Sequence, residues 1–312
     1  MPPKRIAILT AFAALYLIWG STYLAIRFAI ETIPPLLMAG TRFLLAGSMM
    51  YAIARRNSPR PSQADWRIAA IVGACLLVGG NGGVTLAEQY ISSGLASLLV
   101  ATVPIYIALL SWVTGSAPRP TPIVWAGLAG GFIGVGILLG PALHFAPNES
   151  KHPGIGMLIL LCSSLVWSIG SLYSRSAKSS SPPFFAASQS MLCGGALLVL
   201  AGLLTGELRQ LDLRNISPLS IGSFVYLVII GAVVGYTAYI WLLRHCDPSK
   251  VATYAYVNPI VAVLLGALFA GETLTARALL AAGIIIGSVA LVITVQQSKA
   301  LPLEAPTFAP AD

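Results

Sequence analysis

Charge is what this chain is shortest of. Only 9% of its 312 residues are Asp, Glu, Lys or Arg, against roughly 25% in a soluble domain. Hydrophobic residues make up 57%, and the mean hydropathy is +0.84. So few charges cannot cover a water-facing surface, which excludes a soluble globular domain. Histidine is scarce as well: His144, His152 and His245 lie in loops or at helix ends, without an H-x-x-x-H or H-E-x-x-H pattern. The four cysteines (Cys75, Cys162, Cys193, Cys246) match no metal-site spacing and read as buried packing residues or free thiols. No metal and no cofactor is therefore expected. Of the five lysines only Lys178 precedes a Ser or Thr, and Ala177 stands where a phosphate-binding loop needs Gly. That argues against ATP-driven transport by this chain alone. No Asp or Glu falls near the middle of an apolar run, so a membrane-embedded enzyme, which needs a dyad or metal at depth, is not expected either.

What the chain does have is apolar runs of roughly bilayer length, about 20 residues each. They fall near 7–28, 35–54, 67–87, 93–114, 121–141, 154–174, 183–204, 218–241, 251–270 and 276–295. This predicts an all-α polytopic membrane protein with ten transmembrane helices. The net charge of +8 does not signal nucleic acid, because the basic residues collect on alternate loops. Lys4, Arg5, Arg55, Arg56, Arg60, Arg67, Arg119, Arg175, Lys178, Arg244, Lys250 and Lys299 fall on one side. Arg27, Lys151, Arg209, Arg214 and Arg277 fall on the other. The richer side faces the cytoplasm, which predicts that both termini are cytoplasmic.

The run from Asp247 to Glu272 organises the rest. It opens with a polar turn, carries Tyr254, Tyr256 and Asn258, and has Pro259 where a helix loses a backbone hydrogen bond. The same pattern stands 155 residues earlier, with Pro104 in the place of Pro259. Trp19, Arg27, Pro34 and Pro35 recur as Trp167, Arg175, Pro182 and Pro183, and Gly130 and Gly134 recur as Gly283 and Gly287. The chain thus reads as a duplication, with a first repeat at 7–141, a second at 154–295 and a short cytoplasmic tail at 296–312. Its Lys4-Arg5 start resembles a signal peptide, but the first run has its partner deep in the chain and is expected to belong to the fold. Five spans per repeat, an odd number, gives the halves opposite orientations: inverted repeats, as in many secondary transporters.

Polar groups inside the spans are few. Arg42 is the only charge well within one. It is expected either to bond neighbouring helices or to hold a substrate carboxylate, because an intramembrane charge faces a cavity or a partner. Ser21 and Thr22 suit helix packing and a cavity equally, whereas Trp19, repeated as Trp167, points to a cavity. Glu88 is expected at the interface. Pro104 and Pro259 are expected to be paired flexible points. Gly130, Gly134, Gly283 and Gly287 form G-x-x-x-G spacings that suit helix packing within one chain, or a homodimer.

Ile18-Trp19-Gly20-Ser21-Thr22-Tyr23, Met38 to Phe43, Asn81 to Glu88 and Ala255 to Pro259 resemble the EamA branch of the drug/metabolite transporter superfamily. The resemblance spans about residues 8–295. It implies ten helices in two EamA repeats, a central cavity, and efflux of small metabolites, amino acids or drugs across a bacterial inner membrane. The first repeat departs from the second in having Ala117 where the second has Glu272. On this reading the chain is a secondary exporter of small amphipathic organic solutes, embedded in a lipid bilayer, as a monomer or homodimer. Its cavity is expected to be lined by Trp19, Ser21, Tyr23, Arg42, Asn81, Trp167, Gln189, Tyr236, Tyr254 and Asn258. An importer, a carrier of nucleotide-linked substrates and a non-transporting scaffold are the alternatives. Proton exchange and facilitated diffusion both remain open as the driving mechanism.

Overall fold

Proline and serine punctuate this chain, and the helices start where they stand. The computed structural model describes residues 5–117, 119, 121–139, 152–269 and 275–299. The long loop from His144 to Lys151, the Gly271-Glu272 pair and the tail from residue 300 lie outside that set. In chain order the helices are α1 (Arg5–Ala29), α2 (Pro35–Ala54), α3 (Gln63–Ala87), α4 (Ser93–Val113), α5 (Pro122–Leu139), α6 (Pro153–Ser176), α7 (Pro183–Leu204), α8 (Pro218–His245), α9 (Tyr254–Phe269) and α10 (Ala276–Lys299). A proline in the first turn gives up an N–H that would have had no helical partner, and α2, α6, α7 and α8 all begin this way. Ser62, Ser92 and Ser217 cap α3, α4 and α8 by accepting the amides of Asp65, Leu95 and Ser220.

Among the described residues there is no strand. Seven helices (α1–α4 and α6–α8) are long and apolar enough to cross a bilayer, while α5, α9 and α10 carry shorter apolar runs. Leu9, Leu17, Leu158, Leu200 and Leu268 are more than half exposed on the outside of the bundle, the surface that a hydrocarbon solvent accepts. Two boundaries differ from expectation. Gln296 to Lys299 continue α10 and are not tail. The expected span at 251–270 is broken after a single turn, Pro248–Val251, and restarts at Tyr254.

Packing follows a swap rule between the halves. α1 lies against α8 and α9, and their counterparts α6 lies against α3 and α4; α2 packs on α7, and α5 on α10. The α2–α7 seam is a close one. A Cβ on Gly40 would sit 2.7 Å from the backbone nitrogen of Val199, and one on Gly195 would sit 2.9 Å from that of Leu44. Small residues allow such backbone approach. On the α5–α10 seam a Cβ on Gly130 would meet Ser288 Oγ at 2.4 Å, and Gly134 is buried. Gly283 and Gly287 depart from the expected packing within one chain: among the described residues a Cβ on either would meet nothing within 4 Å, and both are exposed. Ser288 takes that seam instead.

In α3 and α8 the backbone widens to π-helix over Gly73–Gly82 and Leu227–Tyr236, stretches at matching places in the two halves. Single π turns recur at functional sites, and here they run through glycine-rich sequence. α4 is interrupted at Ala101–Thr102, and Pro104 sits in the first turn after the break. Pro259, by contrast, lies inside a continuous helix.

Candidate functional site

The two halves meet around a central cavity. Its wall includes Trp19, Thr22, Tyr23 and Ile26 from α1, Arg42 and Phe43 from α2, Leu77, Gly80, Asn81 and Val84 from α3, and Val100 and Val103 from α4. The other half supplies Ser163, Ser164 and Trp167 from α6, Gly231 and Tyr236 from α8, and Tyr254 from α9. Room for the centre of a water-sized sphere amounts to about 60 Å³, where one water needs roughly 10–15 Å³. This conformer therefore has room for a handful of waters.

The glycines of the π stretches seat the two tryptophans. A Cβ on Gly235 would lie 2.6 Å from Trp19 Nε1, and one on Gly80 would lie 2.3 Å from Trp167 Cε3. Each indole thus lies against the widened helix of the opposite half. Trp19 and Trp167 meet edge to face at 5.4 Å, Trp19 and Tyr254 at 5.1 Å, and Tyr239 lies 4.9 Å from Trp19 and 5.3 Å from Trp167. Offset and edge-on rings at such distances attract one another. Tyr239 is locked by its hydroxyl, which accepts from Trp167 Nε1 at 3.0 Å and lies 2.6 Å from Ser171 Oγ. These four rings form an aromatic floor.

Arg42 is 3% exposed. Its Nη2 donates to Asn81 Oδ1, and its guanidinium carbon stands 4.3 Å over the Phe43 ring. A buried charge needs such company, since an arginine at mid-membrane costs about 2.5–3.5 kcal/mol on insertion scales. Glu88, just past the C-terminal end of α3 and buried in the protein, lies within electrostatic reach of both Arg42 and Tyr23. Arg42 Nε and Ser164 Oγ are buried without a protein partner, and both residues line the cavity.

Of the predicted cavity residues, Trp19, Tyr23, Arg42, Asn81, Trp167, Tyr236 and Tyr254 come together here. Three stand elsewhere. Ser21 bonds to Tyr226 at 2.6 Å and to the Ile18 carbonyl. Asn258, with its amide nitrogen turned toward them, donates to the carbonyls of Tyr254 at 3.1 Å and Tyr16 at 3.2 Å, tying α9 to α1 beside Pro259. Gln189 lines a second, separate cavity. Sequence reasoning passed over Phe43, Ser163, Ser164 and Tyr239. The hydroxyl pair Ser163-Ser164 in the middle of an apolar run was the available signal. No group of three or more His, Cys, Asp or Glu converges among the described residues.

The two ends of the bundle are closed by different chemistry. At one end the Asp65 carboxylate accepts from Ser62 N and Oγ, Ser179 Oγ, and Ser180 N and Oγ, at 2.7–2.9 Å. Nearby, Arg244 donates to the Ser181 carbonyl at 2.6 Å. At the other end Ser220 Oγ donates to the Phe28 carbonyl at 2.7 Å and Ser217 N to Thr32 Oγ1 at 3.2 Å. There Glu207 also accepts the amides of Leu36 and Leu37.

Bilayer-length helices around a buried aromatic and polar cavity, shared between two halves, define a polytopic membrane transporter. The chain belongs to the EamA-like transporter family, whose profile matches it twice, over residues 5–140 and 154–294. It is 39% identical to the inner membrane transporter YedA of Escherichia coli (strain K12), covering 90% of this chain and 89% of that one. It is 27% identical to the transporter YvbV of Bacillus subtilis (strain 168) over 96% and 94% of the two chains. It is 26% identical to a protein of Salmonella typhimurium named a probable amino-acid metabolite efflux pump, over 86% and 89%. A crystal structure 21% identical in sequence superposes with a TM-score of 0.66 over 95% of this chain and all of the other, a likeness of fold.

Proposed function

We propose that this chain exports small amphipathic solutes, amino acids or their analogues first among them, by alternating access across a bacterial inner membrane. The observation that carries the reading is Arg42: a buried guanidinium with one nitrogen still unpartnered, facing a cavity walled mostly by aromatic and apolar groups with a few uncharged polar ones. Such a site takes a molecule with one anionic end and an apolar body. The carboxylate meets Arg42 and the Ser164 hydroxyl, and the side chain meets Trp19, Trp167 and Tyr254. The name of the Salmonella typhimurium relative agrees with this substrate class. On this reading ten helices form two inverted five-helix repeats, with both termini and the Asp65 end in the cytoplasm, where the basic loops fall.

The test is counterflow in proteoliposomes loaded with a panel of amino acids and toxic analogues. Exchange of at least one carboxylate-bearing solute is expected, together with loss of that exchange in Arg42→Gln. A chain that moves no member of the panel is not this transporter. Impermeant thiol labelling tests the orientation: Ser58→Cys should be protected in intact cells and Asn215→Cys should react.

A further inference from the structure

Toward the Asp65 end lies a second, smaller cavity of about 20 Å³, whose wall includes Asp65, Ala186, Gln189, Ser190 and Arg244. Gln189 is wholly buried, and neither its amide oxygen nor its amide nitrogen has a protein partner. Buried amides are nearly always paired, so one left open toward a cavity points to an occupant. The neighbouring polar groups are already engaged. Asp65 accepts five hydrogen bonds, and Arg244 donates to the Ser181 carbonyl. Ser190 joins the two cavities: its side chain lines the second, and its Oγ stands 3.2 Å from the hydroxyl of Tyr236, which lines the first.

We infer that the second cavity is a transit site for the polar group of the transported solute, on the Asp65 side of the Ser190–Tyr236 contact, with Gln189 as its recognition group. The inference rests on the transport reading above. A primary amide offers two donors and an acceptor without charge. It can greet a carboxylate or an ammonium in turn and hold neither by an ion pair, which suits a place that a solute must leave again. In this conformer the space fits a single water, since one needs roughly 10–15 Å³. Passage therefore requires the Asp65 clasp to open. An amide that bonds nothing adds nothing to the fold, so its exchange for leucine leaves assembly intact.

The test uses the full chain in lipid vesicles, with Cys75, Cys162, Cys193 and Cys246 replaced by Ser and a single reporter made by Gln189→Cys. The probe is the impermeant 2-sulfonatoethyl methanethiosulfonate, applied to either face. Labelling is expected from the cytoplasmic face alone, and about tenfold faster once Asp65→Asn weakens the clasp by the equivalent of one hydrogen bond. Ala186→Cys, in the wall of the same cavity, is the second reporter if the first does not assemble. No labelling of either reporter, or labelling only from the opposite face, overturns the inference. Labelling needs no transported solute, so its result stands apart from the counterflow test. In counterflow itself, Gln189→Leu is expected to exchange the parent's solute roughly tenfold more slowly at equal abundance. Equal rates overturn the transit site and leave the central cavity reading intact.

Discussion

Asp65 and Ser220 occupy the same place in the two halves, 155 residues apart, and each fastens its helix to the loop or helix end that precedes the next span of the other half. Each is the third residue after a capping serine, Ser62 or Ser217. Asp65 does the fastening with a carboxylate that gathers five donors, three of them from Ser179 and Ser180 in the α6–α7 loop. Ser220 does it with a single hydroxyl donated to Phe28. Hydrogen bonds to a charged acceptor contribute about 1.5–3 kcal/mol and neutral ones about 0.5–1.5 kcal/mol. The two equivalent positions therefore fasten their helices with unequal strength.

Asp65→Ala is accordingly expected to lower stability in detergent by about 2–4 kcal/mol, whereas Ser220→Ala costs about 1 kcal/mol. Chemical denaturation or a thermal midpoint series on both variants measures the difference. Equal losses would mean that the five-donor clasp adds nothing beyond the hydroxyl.

Arg42→Lys keeps the charge and loses the planar fork, while Arg42→Gln keeps hydrogen bonding and loses the charge. Both are expected to assemble, because Asn81 can bond either replacement. Gln should abolish exchange of carboxylate-bearing solutes, and Lys should retain a fraction of it. If Gln exchanges them as well as the parent, Arg42 is only a helix tie.

The proline pair is expected to behave unequally. Pro104 starts a restarted helix, where its missing N–H has no partner to lose, whereas Pro259 lies inside α9. Pro259→Ala restores a backbone bond beside the Asn258 tie and should slow counterflow several-fold at normal abundance. Pro104→Ala should stay within about twofold of the parent. Equal slowing would return both prolines to the paired role that their sequence positions suggest.

On the α2–α7 seam, Gly40→Ala drives a methyl to 2.7 Å from a backbone nitrogen, which cannot rotate aside. A loss of about 1–3 kcal/mol is expected, read as reduced abundance or a lowered thermal midpoint. Gly283→Ala, with open space around it, should leave both unchanged.

These contrasts show what a linear sequence carries and what it does not. Bilayer-length apolar runs, the duplicated Trp19 and Trp167, and the isolated charge at Arg42 were legible because insertion into lipid penalises each polar departure. Seven of the ten expected cavity residues line one cavity for that reason. Ser21 and Asn258 went elsewhere because a polar residue within a span can be satisfied by a neighbouring helix as well as by a cavity, and Gln189 lines a second cavity; spacing alone does not choose among these. Glycines were harder still. Gly283 and Gly287 have the spacing of a packing motif and meet nothing among the described residues, whereas Gly40 and Gly195 have no motif and hold a close backbone seam. Which face of a helix is covered depends on its crossing partner. The widening of α3 and α8 left no periodic mark at all.

That widening also bears on ancestry. A π stretch holds its backbone in a register that an ordinary helix would not choose, and it occurs twice, over Gly73–Gly82 and Leu227–Tyr236. The flanking side chains have since diverged: Asn81 faces the cavity in one half, and Gly235 makes room for an indole in the other. A shared irregularity beneath divergent side chains is most simply inherited. The anomaly in the backbone is then older than the doubling of the chain that the two family matches record.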